Sequence, residues 1–211
     1  MAAGGKANVV MMPIISKIYC SSSEEILVVR RRPQVVRGGG FVVTSCSQGV
    51  VFSVDGCGIV GKSGELVLRD RSGDAVLLIR QKGGMVQALS IHKQWNGYAY
   101  DYEGLQKMVF CVRQPLPFLS RNSPIRISID PRSGCGRDWH FEIKGCFPER
   151  NCTIIDSQAN IIAQIGVKEE VEKVMTSKDV YHVVVKAGID QAFVIGVIAV
   201  LDYIFNESTR C

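Results

Sequence analysis

The chain has 211 residues, 46% of them hydrophobic and 21% charged, with a formal net charge of +5. That length suits one large domain or two small ones, and the composition is that of a globular protein rather than a disordered or fibrous one. The mild positive charge permits contact with an acidic surface, but the chain lacks the dense basic stripe with interleaved aromatics of a dedicated nucleic-acid binder.

Residues 1–13 read as a flexible tail. Val9 to Ile15 is an apolar run that Pro13 interrupts and no small-residue cleavage site follows, so no signal peptide is expected. The expected setting is intracellular: cytoplasmic, with peripheral plasma-membrane or nuclear residence as further options. In that setting the 8 cysteines are expected to be reduced. From Ile14 onward apolar residues recur with a period of two. Strand-like runs lie at 25–31, 40–45, 50–54, 65–70, 75–81, 86–92, 107–113, 125–130, 139–144, 151–156, 160–166 and 180–186. Asp70-Arg71-Ser72-Gly73-Asp74 and Asp156-Ser157-Gln158-Ala159-Asn160 read as hairpin loops, and the 21 glycines suit a fold rich in turns. Residues 103–106 are at most one helical turn, and 167–176 reads either as a short surface helix or as a solvated strand edge. Regularly spaced short strands argue for an antiparallel sandwich or barrel.

Residues 188–206 break this pattern. Ala192 to Leu201 carry no polar side chain, and Asp190 stands where an N-cap carboxylate would accept an orphaned backbone N–H. A helix that is apolar all round must be buried all round. Asp202 ends the run well short of the roughly 20 residues a bilayer span requires. The helix, about 190–206, is therefore expected inside a closed sheet, within one domain over 14–207, and the chain is not expected to be transmembrane.

Gly56-Cys57-Gly58-Ile59-Val60-Gly61-Lys62-Ser63 satisfies the P-loop pattern, which makes Gly56, Gly61, Lys62 and Ser63 candidate nucleotide ligands. A phosphate-cradling loop must open a helix, whereas Gly64 to Asp70 alternates like a strand, so an inter-strand loop is the competing reading. His92, His140 and His182 stand far apart and no Cys-x-x-Cys spacing occurs, so no metal or other cofactor is expected. No Gly-x-Ser-x-Gly elbow is present, and no catalytic residue is assigned. Arg30-Arg31-Arg32-Pro33 with Arg37 is the densest basic cluster. It is a candidate phosphate or lipid-headgroup site, against the plainer reading of a solvated strand end.

Gly64 to Asp70 with Ser72-Gly73, Phe141 to Gly145 followed by Glu149-Arg150, and Lys178 to Tyr181 with the terminal apolar helix carrying Asp190 and Asp202 together resemble the plant LURP-one-related proteins. The resemblance spans roughly residues 10–207. It implies a closed antiparallel β-barrel of about twelve strands around a central, buried C-terminal α-helix, as in tubby C-terminal domains and phospholipid scramblases. It also implies a non-enzymatic protein of plant defence signalling: a module for phosphoinositide-bearing membrane surfaces, or a membrane-tethered transcription regulator. The expected partners are an anionic membrane lipid or a signalling protein, and the expected state is a monomer. A nucleotide-binding protein and a protein-interaction scaffold are the alternatives.

Overall fold

A computed structural model describes residues 10–33, 39–82, 92–100, 104, 106–115, 124–129, 139–166, 179–205 and 209. The strands are β1 (Glu25–Arg31), β2 (Phe41–Ser45), β3 (Val50–Asp55), β4 (Glu65–Asp70), β5 (Ala75–Gln81), β6 (His92–Tyr100), β7 (Gln106–Pro115), β8 (Arg126–Ser128), β9 (Phe141–Cys146), β10 (Asn151–Asp156), β11 (Ile161–Gly166) and β12 (Val180–Val185). Each pairs antiparallel with its neighbour in sequence, and β1 pairs with β12, so the sheet closes into a barrel. Closure removes the unpaired edges that would otherwise recruit foreign strands.

The period of two read from the sequence becomes the inside and outside of this wall. Tyr181, Val183 and Val185 of β12 are buried and alternate with half-exposed neighbours; Leu27 and Val29 do the same on β1. The inward side chains meet a 14-residue helix, which with a one-turn α1 (Cys57–Val60) is labelled α2 (Gln191–Ile204). Ala192 through Asp202 are all buried, and Phe193 makes ring contacts with Phe110 and Phe141. The lumen is thus occupied by the protein's own side chains. Two glycines make room for the fit. A Cβ on Gly196 would meet Leu77 at 2.6 Å, and one on Gly97 would meet the Phe110 ring at 2.4 Å.

The sixth strand differs from the sequence reading. A strand was expected at 86–92, and the sixth strand instead runs from His92 to Tyr100, with residues 83–91 outside the described set. Within that strand the space beside Gly97 is filled by Phe110 from β7. The helical candidate at 167–176 lies outside the described residues, as do residues 103 and 105 of the candidate at 103–106, whose last residue, Gln106, opens β7.

Both mouths of the barrel are closed by residues flanking the core. At the end where α2 begins, residues 12–20 form a strap that includes a 3-10 turn, Lys17–Tyr19. Met12, placed in the flexible tail by sequence, donates its N–H to Gly188 O at 2.8 Å. Cys20 bridges to Asp190. At the opposite mouth Thr209 is buried and its N–H donates to Asp202 Oδ2 at 2.8 Å. Cys20, Cys46, Cys146 and Cys152 are free thiols. Cys111 is disulfide-bonded, which corrects the expectation that every cysteine is reduced.

Candidate functional site

The candidate phosphate cluster Arg30-Arg31-Arg32 lies at the end of β1, and the strand itself divides it. Successive strand residues point to opposite faces, so three adjacent cations cannot form one patch. Arg30 is exposed. Arg31 continues the inward row of Leu27 and Val29; its Nη1 donates to Asp179 Oδ1 at 2.9 Å and its Nε stands 3.6 Å from the buried Asp202 Oδ1. Arg32 Nη2 donates to Val54 O at 2.7 Å and lies 3.4 Å from Asp55 Oδ1; Asp55 also accepts from Arg69 Nε at 2.7 Å. Arg37 lies outside the described residues. The structure therefore uses Arg31 and Arg32 as ties from wall to helix and from β1 to β3.

The two carboxylates of α2 anchor its ends, twelve residues or about 18 Å apart along the axis. Asp190 is the N-cap that its position indicated: Oδ1 accepts from Phe193 N at 3.1 Å. Its other oxygen accepts three more N–H groups, from Ile14, Ile15 and Ser16 at 3.1, 2.7 and 3.0 Å. Burial raises the Asp190 carboxyl above the ordinary aspartate range, and the four N–H donors oppose that rise.

The P-loop-like segment connects β3 to β4. Its helical element is the four-residue α1, and β4 follows where a phosphate-binding loop would open a long helix. Lys62 Nζ donates to Glu65 Oε1 at 2.7 Å, and Ser63 Oγ is 3.2 Å from Tyr203 OH on α2. A Cβ on Gly56 would meet the Thr209 backbone at 2.9 Å. Gly61, at φ +72, has open space around it. Gly56 and Ser63 thus pack at the barrel mouth against Thr209 and Tyr203, and Lys62 is tied to Glu65.

Of the histidines, His140 Nδ1 accepts from Ile129 N at 3.3 Å, and His182 faces out between Tyr181 and Val183. Among the described residues no group of three or more His, Cys, Asp or Glu side chains is arranged to hold a metal ion.

Sequence reasoning missed a second set of cations, because its members are far apart in the chain. The register pairs Gln94 with Arg113, Arg113 with Arg126, and Arg126 with Glu142. Lys82 joins the row through its N–H to Gln94 O at 2.9 Å. The outer wall over β5–β9 thus presents Arg80, Lys82, Arg113, Arg126 and Lys144. The carboxylates beside them are each held by two cations. Glu65 takes Lys62 and Arg80; Glu142 takes Arg126 and Lys144. Lys62 and the Arg80 pair hold Glu65 below the usual carboxylate range against the effect of burial. For Glu142 burial acts upward, and Lys144 and Arg126 together outweigh it and lower the carboxyl. The Arg126 guanidinium lies over the Trp139 ring, 5.2 Å from its centroid. The only signal in the sequence was a basic residue on each of four runs, which means nothing until the register is known.

Comparison with known proteins agrees with this architecture. A crystal structure of an Arabidopsis thaliana protein matches with a TM-score of 0.63 over 92% of this chain and 98% of that one; at 20% identity it shows the shared fold alone. Arabidopsis LURP-one-related 6 is 54% identical over 95% of this chain and its own full length. LURP-one-related 16, also from Arabidopsis, is 46% identical over 99% of this chain and its full length. The family model described as LURP-one-related matches residues 25–202, from the first strand of the barrel to the last carboxylate of its helix, and the chain belongs to that family.

Proposed function

We propose that this protein is a non-enzymatic binding module that engages an anionic membrane surface, phosphoinositide-bearing in the fullest form of the reading, through the outside of its barrel. The observation that carries it is the filled lumen. Ala192 to Asp202 are buried against the inward side chains of the wall, so the interior is a core and recognition falls to the outer surface. That surface belongs to a chain of net charge +5, which favours an acidic partner. Among the described residues no helix is long and apolar enough to cross a membrane, so contact through α-helical segments there would be peripheral. A role in defence signalling is part of the same proposal and rests on the resemblance.

Co-sedimentation with phosphatidylcholine vesicles, with and without phosphatidylinositol bisphosphate, at low and moderate salt tests the reading. The expected result is pelleting that needs the anionic lipid and weakens as salt shortens the Debye length below about 10 Å. Protein that stays in the supernatant under every condition refutes it and favours a protein-interaction scaffold. The nucleotide alternative is tested by thermal shift with saturating ATP, which is expected to leave Tm unchanged; a clear rise would revive it.

A further inference from the structure

The membrane reading leaves open which face makes contact, and the arginines that suggested it from sequence are drawn into the wall. We infer that the barrel mouth covered by the strap is that face, with Ile18, Val50, Tyr100 and Ile161 entering the apolar boundary of a lipid bilayer. The inference rests on the membrane reading and names its contact surface.

Three observations carry it. The first is where the exposed apolar side chains stand. Among the described residues, Val10, Met12 and Ile18 are exposed on the strap or just before it, and Val50, Tyr100 and Ile161 at the ends of β3, β6 and β11. The register puts those three strand ends at the mouth where α2 begins. The opposite mouth has Ile59 and Phe205, and the described wall between the mouths has no large apolar side chain so exposed.

The second is the shape of the set. Around the ring of strands β3, β6 and β11 stand three, five and four places apart, so their tips surround a mouth roughly 20 Å across. The strap lies over the middle, held at Asp190. Polar turns at 70–74 and 156–160 stand between the tips. Separated tips on a ring do not make the contiguous core that a protein interface packs. A bilayer is flat and fluid, and its headgroup–acyl boundary closes round each tip by itself.

The third is the strap's rigidity and the charge beside it. Tyr19 N–H donates to Ser16 O and Cys20 N–H to Lys17 O, both at 3.1 Å, and the Tyr19 ring meets Phe52 edge-on at 5.5 Å. This turn holds Ile18 outward, 78% exposed, where it adds nothing to the core. A side chain held in place loses less freedom on binding. Lys17, Arg71 and Lys107 are exposed at the same end, and their long stems let the charges stay among phosphates while the apolar tips enter. Of the surface carboxylates there, Glu24 pairs with Lys186, and Glu25 accepts from two serine hydroxyls. Asp70 and Asp156 accept N–H groups of their own turns, and Asp74 is exposed.

The experiment uses the full chain and two vesicle types, phosphatidylcholine alone and with phosphatidylinositol bisphosphate. The variants are Ile18→Ser, Val50→Ser with Ile161→Ser, and Ile59→Ser at the other mouth for comparison. All are exposed positions, so Tm is expected to stay near that of wild type. Wild type should bind the anionic vesicles. Ile18→Ser and the double variant should each bind about tenfold more weakly, the transfer of a buried aliphatic side chain back to water, while Ile59→Ser stays within twofold. A second arm places a probe: with lipid brominated on its acyl chains, Ile18→Trp fluorescence should be quenched beyond that of wild type, and Ile59→Trp should not. If wild type binds anionic vesicles and the strap-mouth variants bind equally well, or Ile18→Trp is not quenched on bound vesicles, the face is overturned and the membrane reading stands. Binding and quenching on phosphatidylcholine alone would keep the face and overturn the need for an anionic lipid. If no vesicle is bound and Ile18→Ser instead abolishes self-association, the mouth meets a second copy and both are overturned. No binding in any arm also overturns both.

Discussion

Asp190 offers the sharpest test of how the barrel is closed, because one buried side chain accepts four backbone N–H groups from two separate segments. Asp190→Ala removes every acceptor. A buried donor left without a partner costs about 1–3 kcal/mol. The strap can swing out to find water, so the four losses do not add, and about 3–5 kcal/mol is expected, as for breaking a buried charged network. For a chain of this length that lowers Tm by about 10–15 °C. Asp190→Asn keeps the shape but has one acceptor oxygen. Holding the three strap bonds and surrendering the N-cap bond is the cheaper arrangement, so about 1–2 kcal/mol is expected. The assay is thermal unfolding followed by far-UV circular dichroism, with limited trypsin digestion at Lys17, which is exposed on the strap. Cleavage at Lys17 should accelerate in Asp190→Ala well below its Tm. Burial raises the Asp190 carboxyl, so the folded state binds this proton more readily than the unfolded chain. Its contribution is fully present below the unfolded value of about 3.9 and falls as pH rises through the folded value; Asp190→Asn should flatten that limb. An Asp190→Ala protein within about 0.5 kcal/mol of wild type, with unchanged cleavage at Lys17, would refute the reasoning.

Glu142 has the opposite sign. Its carboxyl is lowered, so the stability it contributes is present above the unfolded value of about 4.3 and is lost as pH falls through the folded one; Glu142→Gln should show a shallower loss of Tm in acid than wild type. Gly40 sits at φ +85 with Val54 O only 2.1 Å from where a Cβ would stand, so Gly40→Ala should cost about 3 kcal/mol, read from urea unfolding; a neutral result would mean that the entry to β2 is not held against the end of β3 as described. Maleimide labelling at pH 7.5 should modify Cys46 and Cys146, both exposed, long before Cys152, which is buried and whose thiol is pushed up to about 12. Fast modification of Cys152 in the folded protein would contradict its burial in the core.

What was legible in the chain was what adjacent residues decide among themselves. The alternation at Val180 to Val185 sets a strand with one buried face, and ten consecutive apolar residues after Asp190 set a helix that must be enclosed with its own N-cap. Those two facts nearly require a closed sheet around a helix. The tertiary structure decided everything that depends on which strand lies beside which. It set the sixth strand at His92–Tyr100, where 86–92 was expected, with Phe110 filling the space beside Gly97. It took Arg30, Arg31 and Arg32, neighbours in sequence, and sent them to solvent, to the helix and to β3, because a strand alternates its faces. By the same geometry it set Arg113 opposite Arg126 and Lys82 in line with them, across residues the chain keeps far apart. A surface patch on a barrel runs across the strands, while the sequence runs along them.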